Sequence, residues 1–99
     1  MKGKFDSIIN DTSPLIVDFH ALWCSPCKMQ SPILKEVASE LGESVRVIKI
    51  DVDTNNQIAS RYNVQSVPTI IIFKDGKQLW RQSGVVSKSQ LNSILMQNV

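Results

Sequence analysis

The apolar run from Leu15 to His20, LIVDFH, restricts the possible folds more than any other part of the sequence. Its β-branched and aromatic residues are typical of a strand that is buried on both faces. Sheets that contain such strands carry helices on both sides. The chain has 99 residues, 42% of them hydrophobic, which suits a single domain over residues 1–99 whose core needs no disulfide to fold.

The segments on either side of this strand have helical patterns. Phe5, Ile8 and Ile9 lie at helical spacing in a short first helix, which we expect Pro14 to end. After the strand, apolar residues recur at intervals of three and four and predict a long helix, with Gly42 as a suitable terminator. These apolar residues are Met29, Ile33, Leu34, Val37, Ala38 and Leu41.

The second half of the chain completes a mixed sheet. The segment 45–52 alternates as a strand, and a helix near residues 55–62 returns the chain over the sheet, which implies parallel pairing with a right-handed crossover. Asp75-Gly76 separates PTIIIFK from KQLWRQ and predicts an antiparallel hairpin. Ser87 and Gln90 form a capping box before a last helix with an apolar stripe. The predicted fold class is therefore α/β, a mixed central sheet of about four strands flanked by helices.

Both cysteines lie in WCSPCK, residues 23–28, directly after the buried strand. Cys24 would lie near free backbone N–H groups at the positive end of a helix dipole, which favours its thiolate, so we expect it to be the nucleophile. Cys27, one turn into the helix, is expected to be more buried and to act as the resolving thiol. Pro26 fits the first helical turn and stiffens the loop.

The sequence gives less support to other uses of the two cysteines. A disulfide that closes so short a loop removes little entropy from the unfolded chain, so it would contribute little as a structural staple. Zinc needs about four ligands, and only Cys24, Cys27 and His20 are candidates. Haem attachment would need a histidine at the position of Lys28. A redox couple is favoured, with metal binding and a structural role as alternatives.

Several motifs in a fixed order extend this interpretation to nearly the whole chain. VDFHALWCSPCK is followed by VIKIDVD, VQSVPTIIIF, KDGK and SGVVSKSQL, and together they resemble the thioredoxin family. The resemblance implies a thioredoxin-like three-layer fold and the reduction of disulfides in other proteins. It also implies a part in electron transport and cell redox homeostasis.

The resemblance assigns roles to polar residues of two strands. It places Asp18 beneath Cys27, where burial would raise the pKa of the carboxyl group and let it accept the proton of that thiol. A structural, hydrogen-bonded aspartate is the alternative. Lys49 is similar to the family's lysine that approaches this aspartate and would modulate it, although a surface lysine on the polar strand face fits the sequence nearly as well.

The resemblance also predicts a docking surface for substrates. Pro68 matches the proline that the family holds in the cis form opposite the active site, whereas an ordinary trans proline at a strand start is the alternative. The backbone of Val67 would pair with an extended substrate. Trp23 and Gly84 would complete a flat apolar surface, with Gly84 keeping a site of close approach free of side chains.

Three positions depart from the family pattern. Ser25 replaces a common glycine, and its hydroxyl would donate a hydrogen bond to a thiolate and shift the reduction potential. His20 replaces an aromatic residue. It either makes the site depend on pH through its own charge or is an ordinary packing or surface histidine. Only Met1 to Lys4 precede the first predicted helix, where family members usually have a strand, so the presence of that strand is left open.

The expected partners follow from the chemistry and from the resemblance. Only the dithiol is consumed, so no bound cofactor is expected, and the resemblance implies regeneration by a flavin thioredoxin reductase drawing on NADPH. Disulfide-containing client proteins would be the substrates. The net charge of +2 is scattered, which argues against nucleic acid, and the apolar run IIIF is too short for a membrane span.

We expect a monomer, and we expect it in the cytoplasm because the amino end lacks the apolar stretch of a signal peptide. Two other functions compete with disulfide reduction. A thiol oxidase or isomerase of the same fold would use the same residues, but normally in an oxidising compartment. A non-catalytic binding module would use the same surface without the thiols.

Overall fold

The computed structural model describes residues 2–98, and they form four α-helices and four strands. The elements along the chain are α1 (Lys2–Ile9), β1 (Leu15–His20), α2 (Ser25–Leu41), a short 3₁₀ turn (Gly42–Ser44), β2 (Arg46–Asp51), α3 (Asn56–Arg61), β3 (Thr69–Lys74), β4 (Lys77–Ser83) and α4 (Lys88–Gln97).

The strands form one mixed sheet in the order β2-β1-β3-β4. β1 runs parallel to β2 and antiparallel to β3, and β3 runs antiparallel to β4. The prediction of a mixed sheet of about four strands flanked by helices is thereby confirmed. Among residues 2–98 no strand precedes α1, since Lys2 is already helical.

The central strands β1 and β3 are buried on both faces because each supplies two separate cores. Alternate residues of a strand point to opposite faces, so neighbouring apolar residues enter different clusters. One cluster packs α2 and α4 on the sheet and contains Ile16, Leu34, Val37, Ile70, Ile72, Leu91 and Leu95. The other packs α1 and α3 on the opposite face and contains Phe5, Ile9, Leu15, Val17, Phe19, Ile71 and Phe73. This arrangement explains the continuous apolar runs LIV and IIIF.

The hairpin between β3 and β4 has the predicted turn. Asp75 and Gly76 have φ angles of 53° and 80°, the left-handed backbone that a two-residue hairpin loop requires. The N–H of Asp75 donates to the carbonyl of Asp11 at 2.8 Å, and the N–H of Gly76 donates to the carbonyl of Ile9 at 3.1 Å. The turn is therefore held against the end of α1.

Three local predictions are wrong. α1 ends at Ile9, well before Pro14, because the carboxylate of Asp11 accepts the N–H of Ser13 at 2.9 Å and turns the chain toward β1. In α2, Met29 is 64% exposed and Gln30 is buried instead. A helix advances about 100° per residue, so Gln30 lies within about 40° of the buried Leu34, whereas Met29 lies about 140° away.

The third correction concerns the start of α4. The hydroxyl of Ser87 accepts the N–H of Gln90 at 3.1 Å, which is the first half of a capping box. The Gln90 side chain does not return to the cap, because its amide donates to the carbonyl oxygen of the Gln82 side chain at 2.9 Å. None of the helices described between residues 2 and 98 combines the length and apolar character that crossing a membrane demands.

Candidate active site

The two cysteines lie where β1 passes into α2. Cys24 is the N-cap of this helix, and its sulfur accepts the N–H of Cys27 at 3.1 Å. Its own N–H donates to the carbonyl of Ala21 at 3.2 Å, which fixes the loop between strand and helix. Pro26 lies in the first helical turn, where no intrahelical partner is lost. The sulfur of Cys24 therefore lies at the positive end of the helix, where a thiolate is stabilised.

Cys24 and Cys27 form a disulfide, with their Cα atoms 5.3 Å apart. The exposed fractions of the two residues are 3% and 5%, so the expectation that Cys27 is the more buried of the two is wrong. The reason is that Ala21, Val52 and Val67 pack with both cysteines in one apolar cluster. Residue burial therefore does not distinguish the two thiols, whereas their positions do, since Cys24 is the N-cap of α2 and Cys27 lies inside its first turn.

Asp18 is fully buried in β1, two residues before His20 on the same face of the strand. Neither of its carboxylate oxygens accepts a hydrogen bond from any residue in the described part of the chain. Burial raises the pKa of Asp18 above its ordinary value of 3.8, while the charges of Lys49 and His20 act in the opposite direction. The structure thus provides a carboxyl group that retains its proton more readily than an exposed aspartate.

Lys49 is the direct neighbour of Asp18 across the parallel pair β1–β2. Its side chain is nevertheless exposed, and its ammonium group donates to the hydroxyl of Ser31 at 2.9 Å. Lys49 therefore contributes charge near Asp18 without forming a hydrogen bond to it.

The remaining predicted tuning residues lie in the segments on either side of Cys24, at the end of β1 and in the first turn of α2. His20 is half-buried at the end of β1, and its backbone carbonyl accepts the N–H of Val52 at 2.9 Å. Ser25 and Pro26 are exposed in the first turn of α2. The exposed side chains of Ser25 and Pro26 are therefore accessible to a docking partner.

The predicted docking residues come from three separate loops. The peptide bond between Val67 and Pro68 is cis, and the carbonyl of Pro68 accepts the N–H of Gly84 at 2.8 Å. Gly84 has a φ angle of 93°, and a Cβ atom added there would meet no atom within 4 Å. Trp23 is 70% exposed. Trp23 and Val67 line the same shallow groove.

Two residues that bond to the docking residues or to the loop that follows Gly84 were not predicted from the sequence. Asp53 accepts the indole N–H of Trp23 at 2.9 Å and holds the exposed ring in one orientation. Gln30 is buried and bonds to the backbone of Val86, in the loop that also contains Gly84. Only Gln30 has a sequence signal, since it is an uncharged polar residue that lies three positions after Cys27 and four before Leu34, on the buried stripe of α2.

Comparison with known proteins identifies the family. The family profile described as Thioredoxin matches residues 1–97. The chain belongs to the thioredoxin family. Its Cys24–Cys27 pair therefore carries out the thiol–disulfide exchange of a thioredoxin-type disulfide reductase.

Individual thioredoxins support this assignment. The chain is 46% identical to the thioredoxin of Pyropia yezoensis over 88 residues, which cover 89% of this chain and 82% of that protein. It is 36% identical to the thioredoxin of Rickettsia bellii over 98 residues, covering 99% of this chain and 93% of that protein. A solved structure titled "Structure of a malarial protein" superposes with a TM-score of 0.83 at 30% identity, covering 88% of this chain and 98% of that one.

Proposed function

We propose that Cys24 is the nucleophile of the reductase and Cys27 its resolving thiol. The observation that carries this assignment is the sulfur of Cys24 at the N-terminus of α2, where it accepts the N–H of Cys27. Helix termini of this kind lower thiol pKa values and favour the thiolate. In the first step, the Cys24 thiolate forms a bond to one sulfur of a client disulfide, the client S–S bond breaks, and the other client sulfur leaves as a thiolate.

The second step regenerates the observed disulfide. Cys27 gives its proton to the carboxylate of Asp18 and attacks the sulfur of Cys24, which releases the second client sulfur as a thiolate. Two electrons pass from the dithiol to the client, and the two client thiolates take up protons. The support for Asp18 as proton acceptor is its burial in β1 together with its raised pKa, since such a carboxyl group is a stronger base than an exposed one. Lys49 would modulate this group through its charge.

The proposed docking surface consists of Trp23, Val67, Pro68 and Gly84. An extended client segment would pair with the backbone of Val67, as strands add to exposed backbone groups in other complexes. The position of Val67 within the cysteine cluster supports this proposal, because it brings the bound segment to the disulfide. The exposed ring of Trp23 would cover the apolar side of the bound client.

Gly84→Ala tests this surface. We expect the variant to lose about 1 to 3 kcal/mol of stability, because φ at this position is positive. Its KM for a protein disulfide should also rise, because the new methyl group faces open space on the docking side. Gly42→Ala is the matched control, since Gly42 also has a positive φ and open surroundings but ends α2 away from the site. An equal change of KM in both variants would remove Gly84 from the docking surface.

The reduction potential distinguishes a reductase from an oxidase or isomerase. We expect a value of about −270 mV, which is the established one for thioredoxin, in equilibrium with glutathione or a reference dithiol. Ser25 and His20 are the proposed tuning residues, because they lie at the start of α2 and at the end of β1. A potential of about −120 to −180 mV would mean that the site has shifted toward oxidation or isomerisation.

The dithiol must be restored after each turnover, so a partner that supplies electrons is part of the proposal. By family resemblance, this partner is a flavin thioredoxin reductase that draws on NADPH, and the protein itself carries electrons without a bound cofactor. We further propose that residues 1–99 act as a single monomeric domain in the cytoplasm, where a reducing environment keeps such thiols in use. Disulfide-containing proteins would be its clients.

A further inference from the structure

A buried glutamine that bonds to the loop after Gly84 has no part in the chemistry described above. Gln30 lies in α2 three residues after Cys27, on the same side of the helix, and it is fully buried. Its amide nitrogen donates to the carbonyl of Val86 at 3.0 Å, and its amide oxygen accepts the N–H of Val86 at 2.7 Å. A buried side-chain amide is costly unless it is bonded, so both groups of Gln30 are committed to this one residue.

The partner of Gln30 belongs to the connection between β4 and α4. Val86 is itself fully buried and lies outside both elements, so neither the strand ladder nor the helix supplies partners for its peptide groups. Buried backbone groups need such partners. Gln30 therefore does for Val86 what a neighbouring strand does for a residue inside a sheet.

This connection is anchored at a second point, next to the Val67-Pro68 peptide bond. The N–H of Gly84 donates to the carbonyl of Pro68 at 2.8 Å. Val85, between the two anchored residues, is 37% exposed. The segment 84–86 is thus attached to the Pro68 loop at one end and to the active-site helix at the other, with one apolar side chain facing solvent.

We propose that Gln30 is a positioning residue that fixes the segment 84–86 relative to the Cys24–Cys27 pair and thereby sets the affinity for protein disulfides. The inference rests on the proposed docking surface. Because Gln30 bonds to the loop, its loss should move the loop that a client contacts without changing the thiols. Small disulfides, which need little docking surface, should react as before.

Gln30→Met tests the proposal, because methionine has a similar shape but cannot bond to Val86. With dithiothreitol as reductant, we expect the KM for insulin disulfides to rise about tenfold, since Val86 loses both of its partners, while kcat stays within about twofold. The rate with glutathione disulfide and the reduction potential should not change. Gln90→Met is the matched control, because its amide bonds only to Gln82 at the surface, and its KM should equal that of the wild type.

The other outcomes each overturn a defined statement. Parallel loss of activity toward insulin and glutathione disulfide would mean that Gln30 acts on the thiols, and a lower melting temperature with unchanged KM would mean a merely structural role. If Gln30→Met does not fold, hydrogen exchange of the wild type tests the two hydrogen bonds between Gln30 and Val86. The amide of Val86 should be protected as strongly as that of Ile71. Exchange as fast as that of Val85 would refute the proposed positioning of the segment by Gln30. A wild-type protein that reduces glutathione disulfide but not insulin would refute the proposed function itself.

Discussion

Cys27→Ser should react once with a protein disulfide and then stop. The Cys24 thiolate remains at the N-terminus of α2 and can still attack, but no second thiol lies within disulfide distance to release the client. We expect a covalent complex with one client per protein, visible by mass spectrometry and by electrophoresis without reductant. Steady-state reduction of insulin should fall by about three orders of magnitude or more.

Cys24→Ser is the matched control for this experiment. It retains Cys27, whose N–H bonds to position 24 and whose sulfur lies a turn inside the helix. If Cys24 is the nucleophile, this variant should form no complex and show no turnover. Complexes formed by Cys24→Ser and not by Cys27→Ser would reverse the two assignments. Full turnover by Cys27→Ser would exclude the two-thiol cycle.

The parts of the fold that the sequence predicts are those specified by local patterns. The run LIVDFH requires burial on both faces, and the structure provides it because β1 supplies the cores on both sides of the sheet. Asp75-Gly76 requires positive φ angles and occupies a tight hairpin turn. The start of α2 is also specified by a local pattern, since Cys24 caps a helix whose first turn contains Pro26.

The sequence does not predict side-chain partners that only the tertiary fold brings together. Lys49 bonds to Ser31 and Gln90 to Gln82, and in both cases the tertiary fold supplies the partner. The burial of Cys24 likewise depends on Val67, which packs in the same cluster although it lies 43 residues later in the sequence. Such contacts set the fine geometry of the candidate site, so the chemistry of the motif could be predicted while its surroundings could not.

Asp18→Asn should stabilise the protein at neutral pH and slow its catalysis. The folded protein holds the carboxyl group of Asp18 buried, which raises its pKa above the ordinary 3.8, whereas the unfolded chain ionises near that value. Between these two pKa values the folded state binds more protons than the unfolded state, so the stability of the wild type falls as pH rises through this window and is constant above it. Asparagine removes this titration.

Urea unfolding of the oxidised proteins measures the effect. At pH 8 we expect Asp18→Asn to be more stable than the wild type, because burial makes the ionised form of Asp18 unfavourable in the folded protein and the variant has no group to ionise. The difference should shrink as pH falls toward 4. Thr69→Val serves as a control, because Thr69 is a buried polar residue that does not titrate, and its effect on stability should not depend on pH. A pH-independent gain for Asp18→Asn would contradict a raised pKa.

The same variant separates the role of Asp18 in stability from its role in proton transfer. If its carboxylate accepts the proton of Cys27, the release of a client from the mixed disulfide should slow by about tenfold to a hundredfold at pH 7. The first attack, which depends on Cys24 at the helix N-terminus, should keep its rate. The difference in release rate between Asp18→Asn and the wild type should narrow above pH of about 8.5, where a free thiol ionises without a proton acceptor. Unchanged release at pH 7 would show that Asp18 is a buried carboxyl group without a part in the exchange, and the gain in stability would then be its only effect.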